Sequence, residues 1–187
     1  NNKGDIIRLK NPKGEVIDWV SYGVWEDGAL SDNAPVAADP NSVARLRDGV
    51  DTARDADDFA VTTKPTPGTP NVIKALPTEE VSAQTKTTSA TKSTEIKPAV
   101  QTQTAVAVLS TSKEAAIAPV IPEALKTGKL LINEILPNPE GSDDAEFVEL
   151  LWLGVEPLNL KWFQVDDAEG GSRPFTLESV VLQPRFH

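Results

Sequence analysis

Lys129-Leu130-Leu131-Ile132-Asn133-Glu134-Ile135-Leu136 reads as a β-strand, and its neighbours extend the pattern. It is broken by Pro137-Asn138-Pro139-Glu140-Gly141, and strand character resumes over Glu146-Phe147-Val148-Glu149-Leu150-Leu151-Trp152-Leu153. Two more strands are predicted, Leu158 to Val165 and Phe175 to Leu182, with Glu169-Gly170-Gly171-Ser172 as the turn between them. Short strands separated by turn clusters predict an all-β sandwich or barrel.

Working outward to the beginning of the chain, residues 5–10 form a predicted strand, followed by Asn11-Pro12-Lys13-Gly14 with proline and glycine at turn positions. The return segment, 15–23, is rich in β-branched and aromatic residues and apolar on both faces, so it is expected to be buried on both sides or bulged. From Gly28 to Asp58 the chain is acidic and loop-like; Val43, Leu46 and Val50 lie at helical spacing, enough for one short turn in an otherwise irregular stretch. Phe59-Ala60-Val61-Thr62 is a last short strand, closed by the breaker run Pro65-Thr66-Pro67-Gly68-Thr69-Pro70-Asn71.

Between these ends, residues 75–128 are dominated by Thr, Ser, Ala, Lys, Gln, Val and Pro without a period, and no aromatic residue occurs between Phe59 and Phe147. Such a segment cannot offset its ordering entropy by burial, so it is expected to be a flexible linker. The organisation predicted is therefore 1–74, a linker at 75–128, and 129–187. The chain has no cysteine, which excludes disulfides and thiolate metal sites. Its most apolar middle stretch, Ala105 to Ile121, is interrupted by Ser110, Thr111, Ser112, Lys113 and Glu114 and is too polar to span a bilayer. The first residues, Asn1-Asn2-Lys3-Gly4, open without methionine and without the features of a signal peptide, and the chain is expected to be a piece of a longer protein. The formal net charge is −10, with 4 basic against 11 acidic residues in 129–187, which disfavours a nucleic-acid partner because a polyanion is repelled.

The residues at both ends resemble the lamin-tail domain family, as found in bacterial exported proteins. Lys129 to Asp167 resembles the opening of such a domain, with Ile132–Ile135, Pro137-Asn138-Pro139, Glu146–Leu150, Leu160-Lys161-Trp162 and Asp166. Residues 1–71 resemble its closing half, with Gly4-Asp5, Val16-Ile17-Asp18, Val20-Ser21-Tyr22-Gly23, Asp48-Gly49-Val50-Asp51 and, most specifically, Pro65-Thr66-Pro67-Gly68 through Asn71. Trp152 stands where the family usually has asparagine, and Arg185 where it usually has glycine. The resemblance implies an immunoglobulin-like β-sandwich in two partial pieces, the C-terminal part of one domain (1–74) and the N-terminal part of the next (129–187). That order is the order of a circularly permuted single domain, so the two pieces are expected to be able to pair with each other as one sandwich.

Candidate sites are few. Glu140, Asp143, Asp144 and Glu146, with Glu149, form an acidic cluster around a Pro/Gly loop that offers carboxylate oxygens to calcium, although the spacing matches no calcium loop and a solvated acidic loop is the plainer reading. Asp48, Asp51, Asp55, Asp57 and Asp58 form a second cluster with the same two readings. Catalysis by paired carboxylates needs two groups held at fixed separation, which loops of this kind do not promise. The single histidine, His187, has no nearby partner for a catalytic or metal role. Trp19 is expected in the core, and Trp25, followed by Glu26-Asp27-Gly28, is the candidate ligand surface. The predicted role is a non-catalytic binding or structural module of an exported or cell-surface protein, meeting a protein or glycan there, with no cofactor. The alternative is an accessory module of a secreted hydrolase or nuclease.

Overall fold

The computed structural model describes residues 3–74, 121–141, 143–168 and 171–184. Residues 75–120 of the linker expected at 75–128, together with Arg185 and His187, therefore lie outside the described residues. The fold is all-β, a sandwich of antiparallel sheets. Gly4–Lys10 (β1) and Val16–Gly23 (β2) form a hairpin across Asn11-Pro12-Lys13-Gly14, where the side chain of Asn11 accepts the backbone N–H groups of Lys13 and Glu15. Ser42–Arg45 (β3) pairs with Phe59–Thr62 (β4), and Lys129–Leu136 (β5) pairs with Phe147–Leu153 (β6).

The two parts of the chain are interleaved in both sheets. One sheet runs β4-β3-β5-β6, where Val43 faces Ile135 and Ala44 faces Glu134 across the β3–β5 ladder. The other runs β2-β1-β8-β9, where Gln164–Asp166 (β8) pairs with β1 and Phe175–Thr176 (β9) pairs with β8. Leu158–Asn159 (β7) and Val181–Leu182 (β10) form a separate two-stranded ribbon. The core is common to both sheets: Leu9, Val20 and Tyr22 from one meet Val43, Ile132 and Trp152 from the other.

Three expectations change. The stretch from Gly28 to Asp58 is mostly irregular, as expected, but Val43, read at helical spacing with Leu46 and Val50, lies in β3, the strand joining β4 to β5. Its Ser42 and Arg45 look polar in sequence, yet both are buried because β5 and the loops around it supply their hydrogen-bond partners, while Leu46 and Val50 at the helical spacing are 50% and 41% exposed. The strands expected at Leu158–Val165 and Phe175–Leu182 are each split in two, with Trp162 at φ +73° in the turn between β7 and β8. Trp19 is not in the core but 55% exposed, because the alternation of β2 turns Asp18, Val20 and Tyr22 inward and leaves the indole outside. In the segment 121–128, Glu123–Lys126 forms a 3-10 turn, and Ala124 and Leu125 pack against the core.

β5 is one of the two inner strands of its sheet and is buried from Leu130 to Leu136. A bulge at Asn133 interrupts its register with β6, so that Leu130 and Ile132 before it, and Ile135 after it, all reach the core despite their odd spacing.

Candidate functional site

The fold places a carboxylate (Asp18) on a core-facing position of β2, a guanidinium (Arg45) on the inner strand β3, and Asn133-Glu134 inside the apolar strand β5. Burying such groups is costly unless each is hydrogen-bonded. The structure solves this by making them partners across the boundary between the two parts of the chain. Arg45, 1% exposed, donates Nε to the carbonyl of Ile132 at 2.8 Å and Nη1 to the carbonyl of Val50 at 2.7 Å. Its Nη1 also meets Asp58 at 3.4 Å, its Nη2 lies 3.9 Å from Asp18, and its guanidinium stacks 4.6 Å from the ring centre of Phe59. Asp18 in turn accepts the backbone N–H of Ile132 at 2.7 Å.

Next to this pair, Glu134 is fully buried and accepts the Thr66 N–H at 2.9 Å, together with the hydroxyls of Ser42 and Thr66. Asn71 spans the seam by donating its side-chain amide to the carbonyls of Arg45 (3.0 Å) and Asn133 (3.2 Å), while Asn133 donates its own amide to Glu149 at 2.8 Å. Gly68 N–H closes onto Glu149 at 2.6 Å. The two stretches singled out from the sequence, Ile132–Ile135 and Pro65 through Asn71, thus meet in space and satisfy one another. That meeting could not be read from either stretch, since the partners of the 2.9 Å Thr66–Glu134 bond are 68 residues apart.

The second acidic cluster is distributed over this seam. Asp58 accepts the N–H and hydroxyl of Thr52 at 2.7 and 2.8 Å as well as Arg45, and Asp55 accepts the Ser21 N–H at 2.8 Å. Among the described residues no three Asp, Glu or His side chains converge closely enough to hold a metal ion. Of the candidate calcium ligands, Glu140, Asp144 and Glu146 are exposed, and the side chain of Asp143 lies outside the described residues.

Two concavities open beside the seam. One, about 160 Å³, lies between β2 and the loops after it; Asp18, Asp27, Asp32, Asp51 and Asp55 line it and the exposed indole of Trp19 stands at its rim. The other, about 490 Å³, opens between the sheets, with Tyr22, Ile135, Phe147 and Val165 for walls and Asp5 and Glu146 at its edge. Burial, reinforced by Asp5 and Glu146, pushes the Tyr22 hydroxyl up to about 12. Trp25 is half-buried, and its indole N–H is enclosed without a hydrogen-bond partner among the described residues. Trp19, Trp162 and Phe175 are the aromatic side chains that face outward among the described residues, and of these Trp19 stands beside the carboxylate-lined concavity.

Burial raises the carboxyl of Asp18 from its ordinary 3.8 to about 6, against the lowering effect of Ile132 N–H and Arg45. Burial likewise raises Asp55 to about 7, opposed by Ser21 N–H and Arg45 and assisted by Asp18 and Asp32. Both groups ionise less readily in the folded chain than in the unfolded one. The stability conferred by their neutral forms is complete below pH 3.8 and is lost as pH rises through about 6 and about 7. The expected result is that Asp55→Asn, which keeps an acceptor for Ser21 N–H, gains stability over the parent chain as pH rises from 5 to 8, by about 1–3 kcal/mol. Urea unfolding at a series of pH values checks this, and a difference that does not change with pH contradicts it.

No family model, curated protein or solved structure matches the chain. Among the described residues no helix is long and apolar enough to cross a membrane.

Proposed function

We propose that the chain is a non-catalytic, lamin-tail-like binding module of an exported or cell-surface protein, and that it meets a protein or glycan through the face around Trp19. The observation that carries the binding reading is an indole 55% exposed on β2, an edge strand, beside a cavity lined by carboxylates. An exposed aromatic platform next to hydrogen-bond acceptors suits the apolar face and hydroxyls of a sugar, or the cationic side chain of a peptide. The immunoglobulin-like, circularly permuted arrangement is supported by the way residues 65–71 close onto β5. The non-catalytic reading is supported by the use of Arg45, Asp18, Asp58 and Glu134 as fasteners between strands. An exported setting rests on the resemblance of the sequence, and the acidic balance argues against a nucleic-acid partner.

The test is an NMR titration of the labelled chain with cell-surface oligosaccharides and with short lysine- and arginine-containing peptides, reading the four tryptophan indole signals. The Trp19 signal is expected to move, and Trp19→Ala is expected to abolish binding while changing stability by less than about 0.5 kcal/mol, as for other exposed positions. A response confined to another surface overturns the assignment to Trp19. No response to any probe favours a spacing role instead.

A further inference from the structure

We propose that the boundary between residues 3–74 and 121–184 is an interface that holds without the covalent connection, so that a second copy of this chain can seat its 121–184 part on the 3–74 part of the first. The proposal goes beyond the binding reading and does not depend on it.

Neither part has a sandwich of its own. Alone, the first would keep the β1–β2 hairpin and the four-residue β3–β4 pair, and the second would keep the β5–β6 hairpin and the short β8–β9 and β7–β10 pairs, all two-stranded units that are marginal in water by themselves. What makes them a domain is the boundary. It contains two strand ladders, β3–β5 and β1–β8, and a core drawn from both sides, as when a domain core is cut in half. It is also specific. Ile132 alone is gripped at both its N–H and its carbonyl, by Asp18 and Arg45, while Glu134 is held by Ser42 and Thr66 and Lys10 pairs with Asp166. Every one of these partners can come equally well from another copy.

The part that receives β5 differs from the part that supplies it. An exchange is therefore heterologous: a copy that gives its second part still has its first part to fill, and the assembly grows head to tail unless it closes on itself. Within one chain, closure is favoured by an effective concentration on the order of millimolar, which sets the concentration at which copies compete.

The experiment uses the full chain with a specific protease site inserted between Thr88 and Ser89. Unfolded protein is returned to native conditions at about 1 µM and at about 1 mM, and the products are sized by light scattering. The dilute sample is expected to be a single chain, and the concentrated sample a ladder of multiples that persists on dilution and keeps the native near-ultraviolet signal of its tryptophans. Cutting the inserted site should then collapse the ladder to two-piece units of one-chain mass that stay together below about 1 µM. Single chains alone at the high concentration overturn the proposal. So does a ladder that survives cutting, which would place its contacts elsewhere, and so do cut pieces that separate.

Discussion

Arg45→Ala is expected to destabilise the fold by about 3–5 kcal/mol, which is the range for breaking a buried ion pair from one side. The guanidinium is 1% exposed and serves the Ile132 carbonyl, the Val50 carbonyl, Asp58 and the Phe59 ring together. Truncation leaves the buried Ile132 carbonyl and the part-buried Val50 carbonyl without a donor, and two buried carboxylates, Asp18 and Asp58, without their countercharge. The loss is large against the roughly 5–15 kcal/mol that a domain of this kind has in total. Arg45→Lys should recover only part of it, because an ammonium cannot reach the same carbonyls and carboxylates in one plane. Urea unfolding followed by tryptophan fluorescence measures the change, and a loss under about 1 kcal/mol would show that the seam is not held by this residue.

The second large effect is expected from Trp152→Ala, again about 3–5 kcal/mol, from lost burial and the cavity left behind. Trp152 is 2% exposed, donates its indole N–H to the Glu156 carbonyl at 2.7 Å, and packs so closely on Gly128 and Gly154 that a Cβ at either would lie 2.4 and 1.9 Å from the ring. Gly154→Ala should therefore be costly by overpacking the same contact, by about 1–3 kcal/mol. Trp152→Phe should lose less than Trp152→Ala, since most of the apolar contact survives. Thermal melts of the three variants check the order. A tolerated Gly154→Ala would mean that the indole can move away, and that the ring is not fixed where the structure places it.

The strands that were legible in the sequence are those whose signal is local. Phe59–Thr62 and Lys129–Leu136 carry β-branched and aromatic or aliphatic residues between breakers, and the hairpin turn at Asn11–Gly14 carries its own chemistry in the Asn11 side chain and Gly14 at φ +81°. β3 was not legible. Ser42-Val43-Ala44-Arg45 has two polar ends and no alternation, and it becomes a strand because Glu134 and the Ile132 carbonyl wait for those ends on β5. Trp19 was misplaced for a related reason. Ranking by hydrophobicity puts tryptophan inside, whereas alternation with Val20 and Tyr22 leaves it outside and turns Asp18 inward, where the Ile132 N–H and Arg45 make the buried carboxylate tolerable. Of the candidate site, the Asp48–Asp58 cluster was visible as charge, but its use as an anchor for Arg45, Thr52 and Ser21 was not.

By itself, then, the sequence determined an all-β chain, the places of its main turns, and two strand-rich parts. Those follow from backbone preference and side-chain alternation, which act over a few residues. The tertiary structure alone decided which strands are neighbours, which polar groups are buried, and that Asp18 and Asp55 hold their protons to about pH 6 and 7. These depend on desolvation being offset by partners far away along the chain, such as Asp18 and Ile132 at a separation of 114 residues.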